Sequence, residues 1–221
     1  MTPNATAEAQ AKPTQDLFLL SSLLLLILLH PLLAEGRWPR LLLGALTFVP
    51  LIVATIRMSH RKGLTWTFVL LIGGAVVFSV GAFVSGSQTL LAIQWVILTV
   101  TFGLAVAGMF SYLQQASSIR AGHLYTAASI YLLLALAFFA LYTSISAIQP
   151  DAFHKTGGVA TQHPVDLLYF SLVTLTTVGY GDIVPMHGEV RMIAGLEAAT
   201  GVLYVAITVA LLVSAYKSPE R

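Results

Sequence analysis

An all-α membrane protein of six spanning helices, with a re-entrant segment between the fifth and sixth, is the fold class that three observations predict. Hydrophobic residues make up 57% of the chain and charged residues only 9%, a balance that excludes an ordinary soluble domain. Six apolar windows, at 17–34, 41–57, 64–85, 89–113, 123–148 and 189–215, reach or approach the ~20 residues that a spanning helix needs. Between the last two, residues 149–188 are too polar to span twice, yet they hold a short half-apolar stretch. Such a segment enters and leaves on one side, which is tolerated where non-helical backbone lines a watery cavity or is buried in protein.

Residues 1–16, MTPNATAEAQAKPTQD, are small, polar and aperiodic, and predict a disordered tail. The first window is read as a membrane helix and not a cleaved leader. Only Lys12 resembles a basic leading region, the apolar run is long, and no A-x-A site closes it before Glu35. The second window is short and contains Pro50, which predicts a kink, with Arg40 and Arg57 snorkelling to the two surfaces. Small residues at helical spacing, Gly74/Gly81 and Gly103/Ala107, predict close helix contacts. The link at 114–122 is short, which favours the first four helices packing beside the last two of the same chain. The resulting division is a tail at 1–16, a four-helix unit at 17–115, a second unit at 116–216 and a short tail at 217–221.

Orientation follows from the basic residues. With both termini inside, the inner loops hold Lys12, Arg57, Arg61, Lys62, Arg120, Lys217 and Arg221, and the outer loops hold Arg37, Arg40, Lys155 and Arg191. Seven against four favours cytoplasmic termini, with the run RMSHRK at 57–62 as the main anchor. Compactness and the absence of cysteine suit a bacterial inner membrane.

Several chemistries are disfavoured. There is no cysteine, hence no disulfide, thiolate metal site or thiol nucleophile. His30, His60, His123, His154, His163 and His187 lie at scattered positions without metal-ligand spacing, and no Ser/His/Asp or paired-acid constellation recurs. The reading is therefore not an enzyme and has no organic cofactor. A net charge of +2 spread over the loops is too small for a nucleic-acid surface.

The string Thr174–Asp182, TLTTVGYGD, carries the functional reading. A potassium ion leaving water must regain a shell of oxygens, and backbone carbonyls can supply it. Gly179 and Gly181 permit positive φ, so alternating handedness turns the carbonyls of Thr177, Val178, Gly179 and Tyr180 toward one axis. The Thr177 hydroxyl adds the innermost oxygen. An ordinary glycine-rich turn is the competing reading, disfavoured by the full string in front of a long apolar segment. With this TVGYG loop the chain resembles the potassium channel family, specifically bacterial channels of six membrane helices.

The resemblance implies potassium ions in a filter built by Thr177, Val178, Gly179 and Tyr180. Thr176, Gly181 and Asp182 support it, and Asp182 gathers cations at the outer mouth. One filter per chain implies a C4 homotetramer, with three further copies and membrane lipids as partners. His163-Pro164-Val165-Asp166 starts the short pore helix, with proline in its first turn and an acid at the positive end of its dipole. Its negative end would face the cavity below the filter. In related channels two adjacent aromatics on this helix brace the filter tyrosine, and Tyr169 and Phe170 match those positions. Val173 stands where some members carry a glutamate that pairs with the acid after the filter, so Asp182 needs another partner. The sixth helix resembles the family's inner helix. Gly201 falls at its gating-hinge glycine, with simple packing as the alternative, and Val202, Val205 and Val209 fall toward the ion cavity.

Glu197 is the one acid inside an apolar helix, and an intramembrane carboxylate is costly. It is either a hydrogen-bonded neutral strut behind the pore helix or an ionised group facing the cavity. The reading favours the strut.

Competing functions are a non-conducting subunit that keeps the fold for interaction, and a transporter. The intact filter argues against the first, and the lack of a repeated filter region argues against the second. Residues 89–115 contain no Lys or Arg, whereas steep voltage dependence needs about 3–4 charges per subunit in this helix. Open probability is therefore expected to change only shallowly between strongly negative and positive potentials. A gating charge like that of voltage-gated channels, measured in planar bilayers, would contradict this.

Overall fold

The computed structural model describes residues 13–33, 37–57, 62–114 and 121–216. Seven helices and three short strands form among them: α1 (Pro13–Leu33), α2 (Arg37–Arg57), α3 (Lys62–Ser85), α4 (Gln88–Gln114), α5 (Ala121–Ile148), β1 (Phe153–Lys155), β2 (Val159–Ala160), α6 (Pro164–Leu175), β3 (Ile183–Pro185) and α7 (Gly188–Tyr216). Five helices are long and apolar enough to cross a membrane. The apolar part of α2, Leu42–Ile56, is shorter than the other five. The helix runs through Pro50.

Helix α1 begins earlier than the sequence predicts. Proline suits the first helical position, where its missing N–H has no partner to lose, and Asp16 lies at the positive end of the helix dipole. Residues 13–16 therefore belong to the helix and not to a tail. Asp16 is fully buried, its carboxylate lying over Gly122 of α5, where a Cβ would come within 2.6 Å. Residues 1–12, 34–36, 58–61, 115–120 and 217–221 lie outside the described residues. With them fall the rest of the expected tails, most of the basic run at 57–62 and the 114–122 link.

Helix α5 is the shared wall of the molecule. Its residues Ile130, Leu133, Ala135, Leu136, Phe139, Ala140 and Tyr142 are all buried. On one side α1 and α4 of the same chain pack against it. Phe139 takes the His30 ring edge-on at 5.3 Å and the Trp95 ring at 5.2 Å. On the other side it meets α6 and α7. Helix α4 also reaches α7, with the Phe110 and Tyr204 rings 6.3 Å apart.

Helices α3 and α4 meet through small residues. A Cβ at Gly74 or Gly81 would touch Ile97 or Leu90 at 3.8 and 3.4 Å, the close approach that small residues permit in membrane helices. The Gly103/Ala107 pair makes no such contact within the chain. Both face outward from this chain, nothing lies within 4 Å of a Cβ at Gly103, and the buried stripe of α4 runs instead through Phe102, Ala105 and Met109.

The strands, which the sequence reading does not anticipate, form one antiparallel sheet in the order β2-β1-β3. Gly157 and Gly158, at φ 98° and 79°, make the turn between β1 and β2 in a conformation that side chains disfavour. Strand β1 pairs with β3 in the register Phe153↔Pro185, His154↔Val184 and Lys155↔Ile183.

Phe139 is 3% exposed and Leu70, on the outer face of α3, is 73% exposed. Phe139→Ala is expected to cost about 3 kcal/mol, because it opens a cavity where three helices meet. Leu70→Ala should cost far less. Unfolding of the detergent-solubilised protein measures both, and equal losses would show that α5 is not the wall described.

Candidate functional site

The short helix α6 is positioned at both ends by identifiable contacts. Pro164 opens it, and Asp166 in its first turn accepts from the Lys155 ammonium at 2.7 Å and from the Thr161 hydroxyl. Strand β1 and the loop before α6 are thereby fastened to the helix start, where negative charge is favoured. At the other end the Thr176 N–H donates to the Leu172 carbonyl at 3.1 Å and Thr177 N–H to Thr174 at 2.9 Å. The N–H groups of Val178 and Gly179 then both turn back to the Val173 carbonyl, at 3.0 and 3.4 Å. These bonds satisfy carbonyls that a helix end otherwise leaves without partners.

Beyond this turn the backbone alternates in hand. Thr177, Gly179 and Gly181 have φ of 61°, 58° and 77°, while Val178 and Tyr180 between them are not in the positive region. Two of the three are the glycines the sequence marks. Thr177 is the only non-glycine residue with positive φ among the described residues, a conformation that costs a side-chain-bearing residue free energy and points to a local function. Every residue from Thr176 to Asp182 is exposed in a single chain, Val178 at 54% and Tyr180 at 70%.

The C-terminal end of the string is clamped by the sheet and the turn that follows β1. The Thr156 N–H donates to the Asp182 carbonyl at 2.8 Å, and Met186 N–H to Ala152 at 2.9 Å. The Asp182 carboxylate accepts from the Ile183 N–H at 3.1 Å and is reached by the Tyr169 hydroxyl. These are the partners the sequence reading leaves open. Nearby, His187 lies 3.3 Å from Asp151, and this close imidazole holds the Asp151 carboxyl below the usual carboxylate range.

The two aromatics expected to brace Tyr180 part company. Tyr169 stacks on it, with ring centroids 6.4 Å apart and planes 3° from parallel. Phe170 is corrected. One position along the helix it points to the opposite side, into an edge-to-face cluster with Tyr142 at 5.2 Å and Phe153 at 5.3 Å.

Behind α6 lies Glu197 of α7, fully buried. Its Oε1 is 2.5 Å from Ser171 Oγ on α6, and its Oε2 accepts from the Tyr142 hydroxyl on α5 at 2.6 Å. Ser171 Oγ is also 2.8 Å from the Ala135 carbonyl. One turn along α7, Gly201 is buried against the end of α6, and a Cβ there would overlap the Leu175 carbonyl oxygen. That oxygen also accepts from the Tyr131 hydroxyl at 3.2 Å, while the Tyr204 hydroxyl fastens α7 to the Ala127 carbonyl at 2.7 Å. Val202, Val205 and Val209 occupy an exposed face of α7, at 56%, 49% and 53%.

Sequence reasoning misses Ser171, Tyr142 and Tyr131. Ser171 gives a faint signal, as a hydroxyl inside an apolar twelve-residue helix. Tyr142 and Glu197 are 55 positions apart, and no local pattern joins them. Among the described residues no group of histidines and acids could hold a metal ion.

Residues 126–218 match the family model described as "Ion channel". The match covers α5 from Thr126, the sheet, α6, the glycine string and α7. Over 74 residues the chain is 40% identical to Two-pore potassium channel 1 of Arabidopsis thaliana, covering 31% of this chain and 19% of that protein. Over 81 residues it is 40% identical to Two pore potassium channel a of Oryza sativa subsp. japonica, covering 36% and 20%. Over 49 residues it is 45% identical to Potassium voltage-gated channel protein shk-1 of Caenorhabditis elegans, covering 22% and 9%. The chain thus spans a fifth or less of the length of these relatives. No solved structure matches.

Gly201→Ala tests the contact with α6. Overlap with a backbone carbonyl cannot be relieved by rotating a side chain, so a loss of about 1–3 kcal/mol is expected. Gly195→Ala, with nothing within 4 Å of its Cβ, should be neutral or mildly stabilising. Thermal unfolding of both variants reads the difference, and a neutral Gly201→Ala would remove the contact from the account.

Proposed function

We propose that this chain is the subunit of a potassium-selective channel in which four copies place their Thr177–Tyr180 loops around a common axis. The observation that carries the reading is the alternation of φ sign at Thr177, Gly179 and Gly181. A strand of uniform hand points successive carbonyls to opposite sides, whereas one alternating in sign points them to the same side. Four such loops supply rings of oxygens that replace an ion's hydration shell. The matched ion channel family and the potassium channels among the relatives support this choice of ion.

The chain's other groups have roles in this reading. The carbonyls of Thr177, Val178, Gly179 and Tyr180 and the Thr177 hydroxyl take the ion. Asp182 attracts cations to the mouth, where its charge acts over a short distance in a narrow entrance. The C-terminal end of α6 presents its negative dipole end to an ion waiting below, beside a cavity lined by Val202, Val205 and Val209. Closure of the ring requires copies of this chain, because the loop stands uncovered in one. Conduction is passive and weakly voltage-dependent or voltage-independent, since α4 carries no basic residue. Both termini are assigned to the cytoplasm and the protein to a bacterial inner membrane.

Reconstitution into liposomes tests the proposal. Potassium and rubidium are expected to pass far better than sodium. Gly179→Asp should abolish flux, by placing carboxylates on the axis and a side chain at a positive-φ position. Robust sodium flux through the parent protein, or full potassium flux in Gly179→Asp, would overturn it.

A further inference from the structure

Three helices converge on one carboxyl group, and the hydrogens available there can be counted. The short oxygen–oxygen contacts number three: Tyr142 Oη to Glu197 Oε2 at 2.6 Å, Ser171 Oγ to Glu197 Oε1 at 2.5 Å, and Ser171 Oγ to the Ala135 carbonyl at 2.8 Å. Each needs one hydrogen between its oxygens. A tyrosine and a serine hydroxyl supply one each, which makes two. The Ala135 carbonyl has none to give. If the serine hydrogen goes to Ala135, the contact between Ser171 and Glu197 is closed only by a hydrogen carried on Glu197 itself. An ionised carboxylate would leave two lone-pair-bearing oxygens facing each other without a hydrogen, in a site closed to water. Among the described residues no ion pair reaches Glu197, and the Tyr142 ring whose hydroxyl it accepts from packs edge-on against Phe153 and Phe170.

We infer that Glu197 is held as the neutral acid and acts as a positioning residue: through Ser171 it locks the middle of α6 to α5 and α7, and so sets the rest position of the Thr177–Tyr180 loop. This rests on the proposed channel reading and extends it from the loop to what fixes the loop from behind. Glu197 donates to Ser171, Ser171 donates to Ala135, and Tyr142 donates to Glu197, a chain of three bonds running from α7 through α6 to α5. Below it, Leu175 is held by Tyr131 and by the bare Cα of Gly201. Helix α6 is thus fixed at two heights and cannot roll about its axis while both hold. Glutamine can reproduce the pattern, since its amide N–H donates to Ser171 and its carbonyl accepts from Tyr142. Alanine can do neither.

The test has two independent readouts. Infrared difference spectroscopy of the parent tetramer at neutral pH against Glu197→Gln should reveal the carbonyl stretch of a protonated acid, lost in the variant and shifted in heavy water. This does not depend on conduction, so it tests the inference even if the channel reading fails, and parent flux tests that reading separately. Single-channel recording of Ser171→Ala and Tyr142→Phe should then show the ratio of conducting to non-conducting dwell times shifted by about three- to tenfold, the worth of one hydrogen bond. Glu197→Gln should stay near the parent, and size-exclusion chromatography should show intact tetramers throughout. Glu197→Ala should be worse than either single variant; if it fails to assemble, the other three still decide. Absence of the acid band would overturn the neutral state. Parent-like dwell times in both Ser171→Ala and Tyr142→Phe would overturn the positioning role.

Discussion

Backbone that is neither helix nor strand is hard to keep at membrane depth, because its polar groups have no water to turn to. In the arrangement proposed, the string from Thr176 to Asp182 is such backbone, and its support explains much of what surrounds it. From below, its first N–H groups are taken by the end of α6. From outside, its last carbonyl is taken by Thr156 of the sheet connection. From the side, Tyr169 stacks on Tyr180 and reaches Asp182. The backbone bonds described leave the row of carbonyls between them unused, and in the proposed channel these are the groups an ion would use.

Helix α5 makes this arrangement compatible with the rest of the chain. Its sides do different things with one apolar sequence. Phe139 offers a flat ring to His30 and Trp95, a purely packing contact with α1 and α4. Tyr131 and Tyr142 carry their rings into the same interior but end in hydroxyls that reach α6 and α7. Tyrosine suits this double task because a large apolar body and one polar tip sit on a rigid ring. The four-helix unit and the loop-bearing unit are therefore coupled chiefly through packing on α5.

The long helices are legible in the sequence because length and apolarity are local properties: each window agrees with its helix to within a few residues, although five of the six, α2 excepted, are long and apolar enough to cross a membrane. The glycine string was legible for a similar reason, since Gly179 and Gly181 announce the backbone they permit. Legibility failed where the signal is distributed. Strands β1 and β3 are three residues each and nearly thirty positions apart, too short for alternation to register. Phe170 was misplaced because adjacency in sequence says nothing about which side of a helix a residue faces. Ser171, Tyr142 and Glu197 come from three helices and meet only once all three have packed. Positive φ at Thr177 was missed because threonine does not advertise that conformation.

The bonds from Val178 and Gly179 back to Val173 lie wholly within one chain, as do those from Thr156 and Tyr169 to Asp182. The contacts that shape the two ends of the loop are therefore all supplied by its own chain. Assembly of the kind proposed would join four rigid pieces and would not fold four soft ones together. Encounter between subunits would then set the pace of maturation, and in that proposed assembly a newly made chain waiting for partners would carry a shaped but idle mouth.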